Sequence, residues 1–193
     1  MTSFVAESWT RIEAWLSAHA PRTFAELPAP ADPPAIAMTE NAIGLDLPSA
    51  LRESLLRHDG TAYGVLLPPF WTLLSTRQIV DSWTRRTDIH ASEVPDAEDD
   101  DHSEGPYGPW WHRRWVPFAE NGAGDCLVID ERPTRLRGRI GTADHEDGCR
   151  FSPHPMWNSL PDLLAMTATA LETGALLDCY ERVAVDGALT WTF

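Results

Sequence analysis

The chain has 193 residues, 43% apolar and 23% charged, a globular composition long enough to bury a core without disulfide or metal. Its 29 acids outnumber 15 bases, all of them arginine, giving a formal charge of −14. That charge argues against nucleic acid and anionic lipid, which are held by Arg and Lys.

Val5, Trp9, Ile12 and Leu16 recur at helical spacing, with Ser3 placed to cap the helix and Pro21 to stop it after His19. Pro28 to Pro34 reads as an extended connector. Asp32 before Pro33 marks a second start, because aspartate accepts orphan N–H groups and proline has none to satisfy. That helix carries Ile36, Glu40 and Ile43 and ends at Gly44. Pro48 opens a third, with Leu51 and Leu55 inside, closed at His58-Asp59-Gly60 where glycine adopts left-handed backbone without a Cβ penalty.

Beyond Gly60, the apolar runs Tyr63 to Leu67 and Phe70 to Leu74 predict short or edge strands around Pro68-Pro69. Ser75 and Gln78 form a capping box for a helix through Ile79, Val80 and Trp83. Seven acids in the twelve residues from Glu93 to Glu104 predict a solvated, mobile loop, extended by turn residues to Pro109. Trp115 to Ala119 and Asp125 to Asp130 flank a turn-rich loop and read as a hairpin. Arg139-Ile140-Gly141 and Arg150-Phe151 are weaker strands around the acidic bend Asp144 to Asp147. Ser159, Pro161 and Gly174 bracket a helix with Leu164, Ala168 and Leu171 on one side. Arg182 to Val185 and Ala188 to Trp191, joined by Asp186-Gly187, form a final hairpin. Helices and strands are segregated, so the expected fold is α+β, an antiparallel sheet packed against several helices. We expect one domain over residues 1–193, with 93–109 a mobile acidic loop and 179–193 a C-terminal hairpin extension.

Zinc-protease, nucleophile-elbow and phosphate-loop motifs do not occur in the sequence. Gly122-Ala123-Gly124-Asp125 lacks the lysine and the following helix of a phosphate loop, so it reads as a hairpin turn. His145 stands among Asp144, Glu146 and Asp147, and His102, His112 and His154 lie in other loops, a spacing of polar loops rather than of metal ligands. His58-Asp59 reads as helix-end structure rather than half a catalytic triad. Cys126, Cys149 and Cys179 form no C-x-x-C pair and are expected to be buried as small hydrophobes in a reducing cytoplasm. The uncharged stretch Gly60 to Thr76 is too short to span a bilayer, and Glu7 stands where a signal peptide is apolar. Among nine tryptophans, Trp115 reads as core. Trp110 and Trp111 are adjacent and point to opposite faces, so one is expected at the surface beside the acidic loop.

Trp9-x-x-Ile12-Glu13-x-Trp15-Leu16, Glu40-x-x-x-Gly44-x-x-Leu47-Pro48 and His58-Asp59-Gly60 resemble the opening of the SMI1/KNR4 (SUKH) superfamily. Trp115-Val116-Pro117-Phe118-Ala119-x-x-Gly122-x-Gly124-Asp125, with Asp130 beyond, is similar to its central signature, and Leu160 to Gly174 to its closing helix. The resemblance implies an α+β fold with a groove and no shared catalytic machinery. In bacteria, similar proteins are often immunity proteins that block a cognate toxin, commonly a nuclease; fungal relatives are linked to cell-wall synthesis and signalling. The motif positions Glu40, Gly44, Leu47, Pro48, Asp59, Gly60, Trp115, Pro117, Gly124 and Asp125 read as architectural.

The expectation is therefore a cytoplasmic, non-enzymatic binding protein of immunity type, without cofactor or metal. Its partner is another protein with a basic surface, met by Asp99, Asp100, Asp101, Trp110 and Trp111. The alternatives are a regulatory or scaffold protein in cell-wall synthesis or signalling and, more remotely, a metal-dependent hydrolase built on His145.

Overall fold

A computed structural model of the chain describes residues 3–62, 66–68, 70–94, 102–151 and 157–193. Helix α1 (Phe4–His19) begins at Ser3, whose hydroxyl accepts the Ala6 N–H at 3.2 Å, and turns Val5, Trp9, Ile12, Trp15 and Leu16 inward. Pro21 does more than stop it. With no N–H to satisfy, it opens a one-turn helix α2 (Pro21–Ala25). Helix α3 (Pro33–Ile43) ends at Gly44 in the left-handed conformation. Asp32 has the extended cap backbone, but its carbonyl rather than its side chain accepts the first turn's N–H groups. Helix α4 (Ser49–Leu55) is shorter than expected and stops three residues before His58.

The long helix α5 (Thr76–Glu93) starts with the expected Ser75–Gln78 capping box and continues to Glu93, the first residue of the expected acidic loop. Helix α6 (Leu160–Thr173), capped by Ser159 and closed by Gly174, packs on α1. Trp9 Nε1 donates to Ser54 Oγ at 2.9 Å, joining α1 to α4. No helix among the described residues is long and apolar enough to cross a membrane.

A five-stranded antiparallel sheet runs in the order β1 (Thr72–Leu73), β2 (Trp115–Glu120), β3 (Cys126–Asp130), β4 (Ile140–Asp144), β5 (Gly148–Phe151). The α+β expectation holds, as does the C-terminal hairpin β6 (Glu181–Val185) and β7 (Ala188–Thr192). The strand expected over Phe70 to Leu74 shrinks to two residues; most of the Tyr63 to Leu67 run lies outside the described residues.

Strand alternation divides the interior in two. Val116, Leu127, Ile129 and Ile140 join the helices in the main core, while Trp115, Cys126, Val128, Ala143, Cys149 and Phe151 build a second cluster with Trp111. Every residue of β3 is therefore buried. Truncating Trp115, fully buried in that cluster, to alanine is expected to cost about 3–5 kcal/mol. The hairpin closes on the main core through Leu189 and Trp191, and its Leu189 N–H donates to Thr23 Oγ1 at 2.9 Å.

One expectation needs correction. Cys126 and Cys149 are buried in the second cluster, but Cys179 is exposed, because the turn leading into β6 runs over the surface. The end of the expected 93–109 loop is bonded to β5 from Pro106 onward. Phe151 N donates to Pro106 O at 2.8 Å and Gly108 N to Cys149 O at 2.8 Å, since edge strand β5 has free backbone groups to offer. Asp99, Asp100, Asp101 and His154 lie outside the described residues.

Candidate functional site

The segment tied to β5 gives Trp110 and Trp111 different surroundings. Trp111 is 1% exposed, its Nε1 donating to Thr87 Oγ1 at 3.0 Å. It packs edge-on against Trp115 and belongs to the core, so of the two tryptophans only Trp110 keeps a surface available for contact. Trp110 is half-buried, and its Nε1 donates to the carbonyl of His145 at 3.0 Å. Between the two indoles lies Arg86 of α5, its guanidinium carbon 5.6 Å from each ring centroid. Arg85, Arg86, Ile89, Trp110, Gly124 and His145 line a cleft of about 560 Å³.

One wall of this cleft is set by strand register. Pairing of Cys126 with Ala143 brings Asp125 and Asp144, one residue outward on each strand, to the same sheet end. Asp125 Oδ1 accepts the His145 backbone N–H at 3.1 Å and contacts its Nδ1 at 2.7 Å; Asn121 Nδ2 donates to Oδ2 at 2.9 Å. The hydrogen bond to Asp125 raises the His145 pKa. Burial opposes the Asp125 charge, but hydrogen bonds from His145 and Asn121 hold its carboxyl below its ordinary value.

Asp125, Asp144 and His145 have one ligand-type atom each within 4.8 Å of one another. These atoms already have work inside the protein. Asp144 Oδ1 accepts the Glu146 and Asp147 N–H groups at 2.7 and 2.9 Å, and Asp125 Oδ1 faces His145. The cluster ties the β4–β5 turn to the β2–β3 loop. In the sequence His145 stands among acidic neighbours and Asp125, twenty residues away, reads only as an architectural motif position, because strand pairing alone brings the two together.

A second polar network is centred on a buried ion pair. Asp130 is 0% and Arg132 1% exposed; Arg132 Nε and Nη2 donate to the two Asp130 oxygens at 2.9 and 2.8 Å. Arg139 Nε adds a third bond at 3.0 Å. Burial opposes the Asp130 charge, but these arginines hold its carboxyl below its ordinary value. Burial pushes the Cys126 thiol up to about 12 and raises Cys149 well above its ordinary value, so both stay protonated and are poor nucleophiles.

The remaining singled-out positions are engaged in the fold. Glu40 Oε1 accepts the Leu47 N–H at 2.9 Å and pairs with Arg52, holding the turn through Gly44 to Pro48. His58 and Asp59 face different partners: His58 Nδ1 lies 2.7 Å from Pro28 O and Nε2 2.9 Å from Glu13, while Asp59 reaches Thr76. Pro117 sits in β2 opposite Val128, at the start of a register shift. Gly124 gives its carbonyl to Arg86 Nη2 at 2.6 Å.

A family model described as SMI1 / KNR4 family (SUKH-1) matches residues 30–166. The chain belongs to that family. A comparison with curated proteins finds no match. The SMI1/KNR4 match runs from the linker before α3 into α6, so it contains the whole sheet and the Arg86–Trp110 cleft. The α1 residues Trp9, Ile12, Glu13, Trp15 and Leu16, which the sequence resemblance included, fall outside it, as does the C-terminal hairpin.

Proposed function

We propose that this SMI1/KNR4 protein is a cytoplasmic, non-enzymatic binding protein of immunity type that holds a toxin with a basic, phosphate-binding surface. One observation carries the reading: within a family chain of charge −14, seven acids are packed into Glu93 to Glu104, immediately ahead of Trp110. A concentrated negative field steers a basic partner and raises its on-rate, and a partly exposed tryptophan six residues further along the chain supplies an apolar anchor. A nuclease surface built to hold phosphates is complementary to such a segment.

The experiment first asks whether a toxin gene neighbours this one in its genome and co-expresses any toxin domain found there with this chain; no toxin gene alongside overturns the reading. Relief of growth arrest and a stable complex are expected. In stopped-flow binding, the Asp99→Asn/Asp100→Asn/Asp101→Asn variant is expected to associate several-fold more slowly, with a shallower dependence of on-rate on salt. Continued growth arrest with no complex overturns the reading; an unchanged on-rate and salt slope overturns the steering role of the acids.

A further inference from the structure

Among the described residues, two arginines, Arg86 and Arg132, are deeply buried near Trp residues, and the fold treats them differently. Arg132 is neutralised by two hydrogen bonds to Asp130. Arg86, 3% exposed, donates from Nη2 to Gly124 O at 2.6 Å and Ala143 O at 3.4 Å, both neutral carbonyls. Its Nε and Nη1 have no hydrogen-bond partner among the described residues. A guanidinium stays charged at any ordinary pH, and burying a cation without an opposite charge is costly. The two indole faces compensate part of that cost through cation–π attraction. The in-plane N–H groups are left over.

Those groups belong to a side chain that lines the cleft of about 560 Å³, a size typical of small-ligand sites. Trp110 is the cleft's half-buried wall, held to the β4–β5 turn through one hydrogen bond, to His145 O. Ile89 adds an apolar side, and the exposed Glu93 and Glu146 stand at the rim. A dianion such as phosphate is disfavoured by those two rim acids and the charge of −14. A monoanion with an apolar body suits the arginine, the indole face and Ile89 together.

We infer that the Arg86–Trp110 cleft binds a carboxylate attached to an apolar or aromatic body, with Arg86 as its anchoring cation and Trp110 as a wall that shifts to admit it. The inference does not depend on the role of the proposed toxin-facing acids Asp99, Asp100 and Asp101. The carboxylate comes either from a free small acid or from the end of a polypeptide.

The test uses the full chain labelled with ¹⁵N, with the Trp110 indole signal assigned through Trp110→Phe. Benzoate, its neutral isostere benzamide and inorganic phosphate are titrated at constant ionic strength. Benzoate is expected to move the Arg86 Nε–H and Trp110 Nε1–H signals saturably, and benzamide and phosphate are not. A peptide ending in phenylalanine, compared with its C-terminal amide, reports a chain-borne carboxylate; saturation by the free acid alone assigns that source. Arg86→Gln is expected to abolish the saturable shifts, with circular dichroism checking its fold. If that variant unfolds, contacts from the benzoate ring protons to Trp110 and Arg86 protons in the unaltered protein decide the matter. Equal shifts with benzamide, equal saturation by phosphate, or no saturation by either benzoate or the peptide acid overturns the inference.

Discussion

The carboxylate of Asp59 accepts the backbone N–H of Thr76 at 2.6 Å and its hydroxyl at 3.2 Å. Thr76 is the first residue of α5, so a residue seventeen positions earlier serves an N–H that the helix itself leaves orphaned. Ser75 satisfies Gln78 N at 3.3 Å from within the helix start. Asp59 thus fastens the α4 exit to the helix that carries Arg86.

Asp59→Ala is expected to cost about 1–2 kcal/mol, the usual range for a lost helix cap. Asp59→Asn retains an acceptor oxygen and is expected to lose less. Urea unfolding of both variants measures the difference, and equal losses would mean that the carboxylate's charge, rather than the hydrogen bond, holds the helix start.

Gly60, next in the chain, has φ +84°, and a Cβ there would stand 2.7 Å from Ser75 N and 2.9 Å from Leu73 O. Gly44 has φ +68° but open space around it. Gly44→Ala therefore pays only the left-handed strain, about 1–2 kcal/mol. Gly60→Ala adds backbone crowding of about 1–3 kcal/mol. Denaturant midpoints are expected to rank wild type, Gly44→Ala, Gly60→Ala in falling order.

Removing the Asp130 charge leaves Arg132 and Arg139 around an uncompensated site. Asp130→Asn is expected to destabilise by about 3–5 kcal/mol, read from the urea midpoint at unchanged slope. The sign with pH follows from the lowered carboxyl. Its stabilisation is present above the ordinary value of 3.8 and is lost as pH falls through the lower folded value. The deficit of Asp130→Asn should therefore narrow in strong acid.

The His145–Asp125 pair has its own window. His145 is raised above 6.5 in the fold, so its contribution is complete below 6.5 and fades as pH climbs through the folded value. Asp125 is lowered from 3.8, so on the acid side the pair persists until pH falls through that lower value. Melting temperatures of wild type and His145→Gln, compared from about pH 4 to about pH 9, should differ most at the acid end and converge at the alkaline end. A gap that widens with pH would contradict the pair.

Elements whose signals are local were legible in the sequence. Ser3, the Ser75–Gln78 box, Gly44 and Ser159 with Gly174 mark helix ends that the structure keeps, because caps act over three or four residues. The Asp186-Gly187 turn likewise announces β6 and β7. Non-local features were not legible. Pairing of Pro106 and Gly108 with β5, the meeting of Asp125 with His145, and the burial of Arg86 between two indoles depend on strand register and helix docking. Arginines within a polar-looking helix give no sign of which one turns inward. Two-sided burial of β3 leaves a trace in its unbroken run Cys126-Leu127-Val128-Ile129.

The unequal placement of the thiols has a practical side. Cys126 and Cys149 are enclosed and held protonated, whereas Cys179 stands open just ahead of β6. Brief treatment with a maleimide dye in native buffer should then attach one fluorophore per chain at one known position. The protein can be immobilised, or followed during partner binding, without replacing any cysteine.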